Sequence, residues 1–214
     1  MKKIIILIFV FTSMSIYGQG LYFDGGVGAG FGWTTINGRN VVDTYKSSGY
    51  GIDTNFAFEV GFKGGYGPFG DIPLYAVGEL AWVLHGIDAS TGSNHIGSVT
   101  KPIIFGAGVI FYPIPLIQVG TSFCCAYSGW IGDNKIFAPV IDLSKLDLLD
   151  RDGQSQFGFA WNISLAVDLG SKSNGILIGV KYWYENISRS ESVNTHMLGI
   201  FVRYAFRQKA PSLF

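Results

Sequence analysis

Residues 157–168 read FGFAWNISLAVD, in which Phe157, Phe159, Trp161, Ile163, Leu165 and Val167 alternate with Gly158, Ala160, Asn162, Ser164, Ala166 and Asp168. Successive Cβ atoms of an extended chain point to opposite sides, so a period of two held over this length predicts a β-strand with one bulky face. In a water-soluble protein that face packs inward, whereas in a membrane protein it meets lipid. The segment fits both, and the surrounding chain decides between them.

The pattern recurs. Phe23 to Trp33 sets Phe23, Val27, Ala29, Phe31 and Trp33 against Asp24, Gly26, Gly28, Gly30 and Gly32. These glycines repeat every second residue, unlike a G-x-G-x-x-G nucleotide fingerprint before a helix. Further strands are expected at Asn55–Tyr66, Leu74–His85, Ile103–Tyr112, Leu116–Ser128, Ile176–Glu185 and Thr195–Arg207. The alternation is weakest in Leu74–His85. With Phe157–Asp168 this makes eight strands, each near the 9 to 11 residues that cross a bilayer when tilted.

The connections sort into two kinds. Tyr66–Pro73, Pro113–Pro115 and Leu169–Gly175 are short; Thr34–Thr54, Gly86–Thr100, Gly129–Gln154 and Ile187–Asn194 are longer, and the kinds alternate. Short turns at one end and long loops at the other are the habit of barrels spanning an outer membrane, with both termini on the turn side. The 214 residues are only 14% charged, 48% hydrophobic and 15% aromatic, with 30 glycines. An ordinary soluble surface needs about 25% charge. Fifteen basic residues balance fifteen acidic ones, so no net field draws nucleic acid.

Lys2 and Lys3, then the apolar Ile4 to Phe11, then the more polar Thr12 to Gly20 follow the order of a secretory signal, too short to span as a helix. Gly18 and Gly20 suit signal peptidase, as do Ile16 and Gly18. The expected organisation is a cleaved signal over 1–20, a barrel over 21–207 and a short tail over 208–214. The fold class is all-β, an eight-stranded antiparallel up-and-down transmembrane barrel in the bacterial outer membrane.

Lipid on the bulky face confines charge to the other, since Lys or Arg on the lipid face at mid-bilayer costs about 2–4 kcal/mol. Asp24, Glu59, Lys63, Glu79, Asp168, Lys181, Glu185 and Arg203 all fall on the inward face and form the candidate lumen charge network. Glu59, Lys63, Asp24 and Arg203 are expected to pair, because buried charges need partners. Aromatic girdles are expected from Trp33, Trp82, Tyr127 and Tyr184 toward the loops, and from Phe62, Phe111, Tyr204 and Phe206 toward the turns.

On these grounds the chain resembles the small eight-stranded outer-membrane barrels of the OmpA, OmpX, OmpW and opacity-protein type. Gly199, Val202, Tyr204 and Phe206 look like the final-strand signal read by the barrel-assembly machinery. Such proteins often end on the terminal aromatic, but here residues follow Phe206; either Phe206 closes the signal or Phe214 does. The resemblance implies a monomer in contact with outer-membrane lipid.

Cys124 and Cys125 are adjacent in a strand and point to opposite faces, poor geometry for a disulfide and consistent with small fillers. His85, His95 and His196 lie near or in loops and read as solvated, with Ser192 and Thr195 the hydroxyls nearest His196 in sequence. No His–Ser arrangement of the lipid A deacylase kind is recognisable, so no enzyme activity, cofactor or metal is expected. Asp150 and Asp152 before Gly153 resemble an EF-hand fragment without its other ligands.

An eight-stranded barrel is just wide enough for side chains to fill. The function expected is therefore structural or surface-exposed interaction, with a host or environmental ligand met by Thr34–Thr54 and Gly129–Gln154. The alternative is a narrow, porin-like passage for small hydrophobic molecules of the OmpW kind. Gly26, Gly28, Gly30 and Gly32 would leave room for it, Val77, Ile104, Ile110, Trp183 and Phe201 would line it, and leucine at Gly28 or Gly30 would block it.

Overall fold

The computed structural model describes residues 20–69, 71–100, 102–128, 156–170, 174–188 and 192–208. The expected signal segment, the long loop with Asp150 and Asp152, and the tail after residue 208 lie outside the described residues. The strands are β1 (Gly20–Ile36), β2 (Arg39–Asn40), β3 (Gly51–Gly67), β4 (Leu74–Thr91), β5 (Asn94–Thr100), β6 (Ile103–Ile114), β7 (Ile117–Ser128), β8 (Gln156–Asp168), β9 (Asn174–Ser188) and β10 (Ser192–Arg207), with one helix, α1 (Val41–Ser47).

Eight of the strands form a ring in the order β1, β3, β4, β6, β7, β8, β9, β10, each antiparallel to its neighbour. The ring closes where β10 pairs with β1 from Tyr22↔Arg207 to Ile36↔Val193. Closure leaves no free edge, which the hydrocarbon layer requires because it offers no partner for an open N–H or C=O. No helix among the described residues is long and apolar enough to cross a membrane.

The alternation read from the sequence sets the facing of every wall strand. Phe23, Phe62, Leu80, Phe105, Phe123, Phe159, Leu165, Val180 and Ile200 stand exposed on the outside, Ile200 at 67%. A contiguous apolar exterior of this extent would aggregate in water and is stable only in lipid. Toward the loop end, Trp33, His196, Tyr182, Trp161 and Tyr184 form a continuous girdle, with Trp33 stacked on His196 at 5.0 Å and Trp161 against Tyr182 at 5.5 Å. Both cysteines are free, Cys124 buried and Cys125 exposed.

Beyond the girdle the structure is more ordered than the expected loops. β1 turns through Asn37 and Gly38 at φ 50° and 79° into β2, the left-handed pair that a two-residue hairpin demands. Asn40 then caps α1, its side chain accepting from the Val42 N–H at 2.9 Å. Val41 and Tyr45 of the helix pack on Ile36, Ile87 and Ala89, a second small core. Instead of a loop after His85, β4 continues and folds back through Gly92 as β5. The sequence pattern hides this platform because it stands clear of lipid: its outer face is polar, and the bulky-outside rule ends.

Candidate functional site

The lumen is built in layers. At the turn end Tyr22, Tyr75 and Tyr112 are fully buried among Ile110, Ala166, Leu177, Phe201 and Ala205. They come from β1, β4 and β6, at inward positions close to the turns. Gln118 ties Tyr22 to Tyr112, donating through Nε2 to the Tyr22 hydroxyl at 3.0 Å and to the Tyr112 hydroxyl at 2.8 Å. Tyr22 in turn donates to Asp24 at 2.7 Å. Tyr112 donates to Asp168 at 3.0 Å, and Asp168 also pairs with Arg207.

The middle layer is ionic. Arg203 reaches Asp24 at 2.9 Å and also pairs with Glu59. Lys181 lies between two carboxylates, 2.9 Å from Glu59 and 2.7 Å from Glu79, with its ammonium 3.8 Å from the Trp183 ring centre. Lys63 stands 3.6 Å from Glu79, to which Asn162 also donates at 3.1 Å. The Trp183 indole N–H donates to Glu59. Three carboxylates thus face three cations, all buried, each anion held by more than one donor. Through Tyr22 and Gln118 this belt is continuous with the tyrosine layer, so one polar network runs from the turn end to mid-barrel.

Above the belt lies an apolar layer of Ala57, Ala81, Val83, Ile104, Cys124, Ala126, Ala160, Trp183, Ile187 and Met197. The cavity bounded by Gly30, Ala57, Val83, Lys181, Trp183 and Met197 measures about 20 Å³, room for roughly one water molecule. At the mouth, His85 contacts Thr34 at 3.2 Å and Asn55 at 3.1 Å, and Thr34 contacts Thr195 at 3.2 Å.

Asp24, Glu59, Lys63, Glu79, Lys181 and Arg203 are therefore joined in one network, while Asp168 sits lower with Arg207 and Tyr112. Glu185 stands apart: it is 1% exposed, and among the described residues neither carboxylate oxygen has a hydrogen-bond partner. The histidine reading needs correction. His85 is 2% exposed inside the lumen, not solvated, and His196 is half-buried in the outer girdle, its ring nitrogen 2.7 Å from the Tyr182 hydroxyl. Only His95 is exposed, and it stands on β5 rather than in a loop. The two-residue period of their strands turns Tyr75, Tyr112, Gln118 and Arg207 inward, but partnership across the lumen depends on strand register, which no local pattern encodes.

An unpaired buried carboxylate raises the energy of the fold it sits in. Glu185→Met, close in volume and apolar, is expected to stabilise the barrel by about 1–3 kcal/mol. Urea unfolding of both proteins in the same micelles checks this; a destabilised variant would mean that Glu185 has a partner in solution.

No protein-family model matches the chain, and neither does any curated protein sequence. Similar solved structures include the attachment invasion locus protein Ail of Yersinia pestis, crystallised with the heparin analogue sucrose octasulfate. It is 14% identical over 86% of this chain and 98% of Ail, at a TM-score of 0.48. Ail in a phospholipid nanodisc aligns at 15% identity over 86% and 99%, with a TM-score of 0.37. The outer-membrane protein AlkL in lipid bilayers aligns at 12% over 89% and 93%, with a TM-score of 0.33. By its own geometry, a closed ring of eight antiparallel strands with an apolar exterior and an ionic interior, the chain has the fold of a small membrane-spanning β-barrel.

Proposed function

We propose that the protein is a closed, non-enzymatic, monomeric barrel that acts through its outward-facing platform rather than through its lumen. The observation that carries this reading is the filled interior: a tyrosine layer, an ionic belt and an apolar layer succeed one another, the hollow of about 480 Å³ beside Lys63 and Glu79 opens onto the outer face between Phe23, Phe62, Leu80 and Phe105, and the cavity against Lys181 and Trp183 holds about 20 Å³. A hydrocarbon needs several times that volume, so the passage reading would require the belt to part.

The ionic belt staples the wall from inside, and a rigid wall presents a fixed platform. The β1–β2 turn, α1 and the β4–β5 hairpin supply the surface that a host or environmental ligand meets. His85 is hydrogen-bonded to Thr34 and Asn55, and neither of these partners is an acid that would make its ring a general base. Val202, Tyr204 and Phe206 project outward from β10, at 49, 57 and 44% exposure, where the assembly machinery would read them with Gly199.

Two measurements test the proposal. Vesicles carrying the refolded protein are expected to retain small sugars and to show no single-channel steps. Replacing Asn37–Tyr50, the segment between β1 and β3, by a short hairpin is expected to remove cell-surface or matrix binding while the heat-modifiable folded form persists. Conductance, or uptake of small hydrophobic molecules by the intact protein, would overturn it in favour of the passage.

A further inference from the structure

A group of metal-ligating side chains lies on the platform, outside the lumen. Asp53, Asp88 and His95 come from three neighbouring strands, β3, β4 and β5, and place one ligand atom each within 4.8 Å of one another. The backbone brings them together for identifiable reasons. Asn55 faces the lumen, where it meets His85. Strict alternation counted back from Asn55 would turn Asp53 inward. The pairing of β3 with β4 slips between Ile52 and Thr54, leaving Asp53 as the extra residue of a bulge. A bulge re-aims the side chain it inserts.

On β4, Ile87 and Ala89 pack inward in the platform core, so Asp88 faces outward. His95 pairs with Ser90, and Asp88 with Gly97, which sets Asp88 and His95 on one face a diagonal step apart. Asp88 is six residues beyond the outward-facing Trp82, about 20 Å along the strand, and so clear of the lipid.

The electrostatics of the group favour a cation. Two carboxylates are held close together, and among the described residues neither is ion-paired to a lysine or arginine. Among the described residues, one oxygen of Asp88 is buried without a hydrogen-bond partner. Like charges at this spacing repel, and a buried carboxylate oxygen without a donor is costly. A cation set among the three groups removes both penalties.

We propose that Asp53, Asp88 and His95 form a binding site for a divalent transition-metal ion of the Zn²⁺ class. Imidazole nitrogen beside carboxylate oxygen suits Zn²⁺. Ca²⁺ takes six to eight oxygen ligands, and Mg²⁺ sheds its water reluctantly. Three protein ligands leave a coordination position open to water or to an external ligand. The bound ion clips the β4–β5 hairpin to β3 and so fixes the outer rim of the platform. This goes beyond the surface-interaction reading and does not depend on it.

The test is calorimetric titration of the untagged, refolded protein with ZnCl₂, alongside Asp88→Asn, His95→Ala and the off-site control His196→Ala. Wild type and His196→Ala are expected to bind one equivalent. Asp88→Asn and His95→Ala are expected to bind at least about tenfold more weakly, and excess Ca²⁺ is expected not to compete. His95 is exposed near a hairpin tip, so its replacement leaves folding intact and keeps the result decisive. Absence of saturable binding by wild type, undiminished binding by His95→Ala, or displacement by Ca²⁺ would each overturn the assignment.

Discussion

Lys181→Met is expected to lower the stability of the folded barrel by about 3–5 kcal/mol, the usual cost of removing one member of a buried ionic cluster. The side chain is 3% exposed and bridges Glu59 and Glu79 at 2.9 and 2.7 Å. Its loss leaves Asp24, Glu59 and Glu79 against Arg203 and Lys63 alone, with one buried negative charge uncompensated. Methionine fills most of the space, so the loss is electrostatic rather than a packing defect. Two further readings isolate the cause. The effect should be nearly independent of added salt, because mobile ions screen exposed charges and not buried ones. Adding Glu79→Gln should recover part of the loss, since removing both partners is far less harmful than removing one. Urea unfolding in lipid vesicles, followed by heat-modifiable mobility, measures all three. A loss below about 1 kcal/mol that shrinks further in salt would mean that the belt is hydrated and the lumen wet.

The legibility of this molecule follows from where each constraint acts. In the wall, lipid outside and a crowded lumen inside impose a two-residue period, so the facing of Phe159, Leu165, Val180 and Ile200 was readable from a single strand. Which charges would be inward was readable for the same reason. Their pairing was not: Lys181 and Glu79 are far apart in sequence and meet only because the ring places β9 opposite β4. Above the girdle the two-residue rule fails. Ile36, Ile87 and Ala89 turn inward to receive α1, while polar residues cover the outside, a pattern that resembles a loop in sequence. The Asp53 bulge shifts the phase of β3 by one residue, and local alternation then assigns Asp53 to the wrong face. The inward place of His85 was obscured because a polar residue beside an expected loop gives no local sign of burial.

Gly30→Leu is expected to abolish the folded, heat-modifiable form altogether rather than to block a passage. Gly30 pairs with Gly199 where β1 meets β10, the seam that closes the ring. A Cβ at Gly30 would stand 2.1 Å from the Leu198 carbonyl oxygen and 2.4 Å from the Gly199 Cα, both backbone atoms with no freedom to retreat. Relief requires the strands to separate, which unpairs the ladder in a medium that offers no other hydrogen-bond partner. Gly28 is more tolerant: its Cβ would lie 3.1 Å from the Ile200 carbonyl oxygen and 3.3 Å from the Phe201 Cβ, so Gly28→Ala should fold with a modest loss. Gly51→Ala, on the platform with its nearest neighbour at 3.7 Å, should behave as wild type. The series separates two roles for the glycines of β1. If they exist to keep a passage open, Gly30→Leu yields a folded barrel that no longer transports. If they exist to let two backbones meet, the same change yields no barrel, and the gradient from Gly51 through Gly28 to Gly30 follows the clash distances. A folded, monomeric Gly30→Leu protein with normal heat modifiability would refute the seam as described.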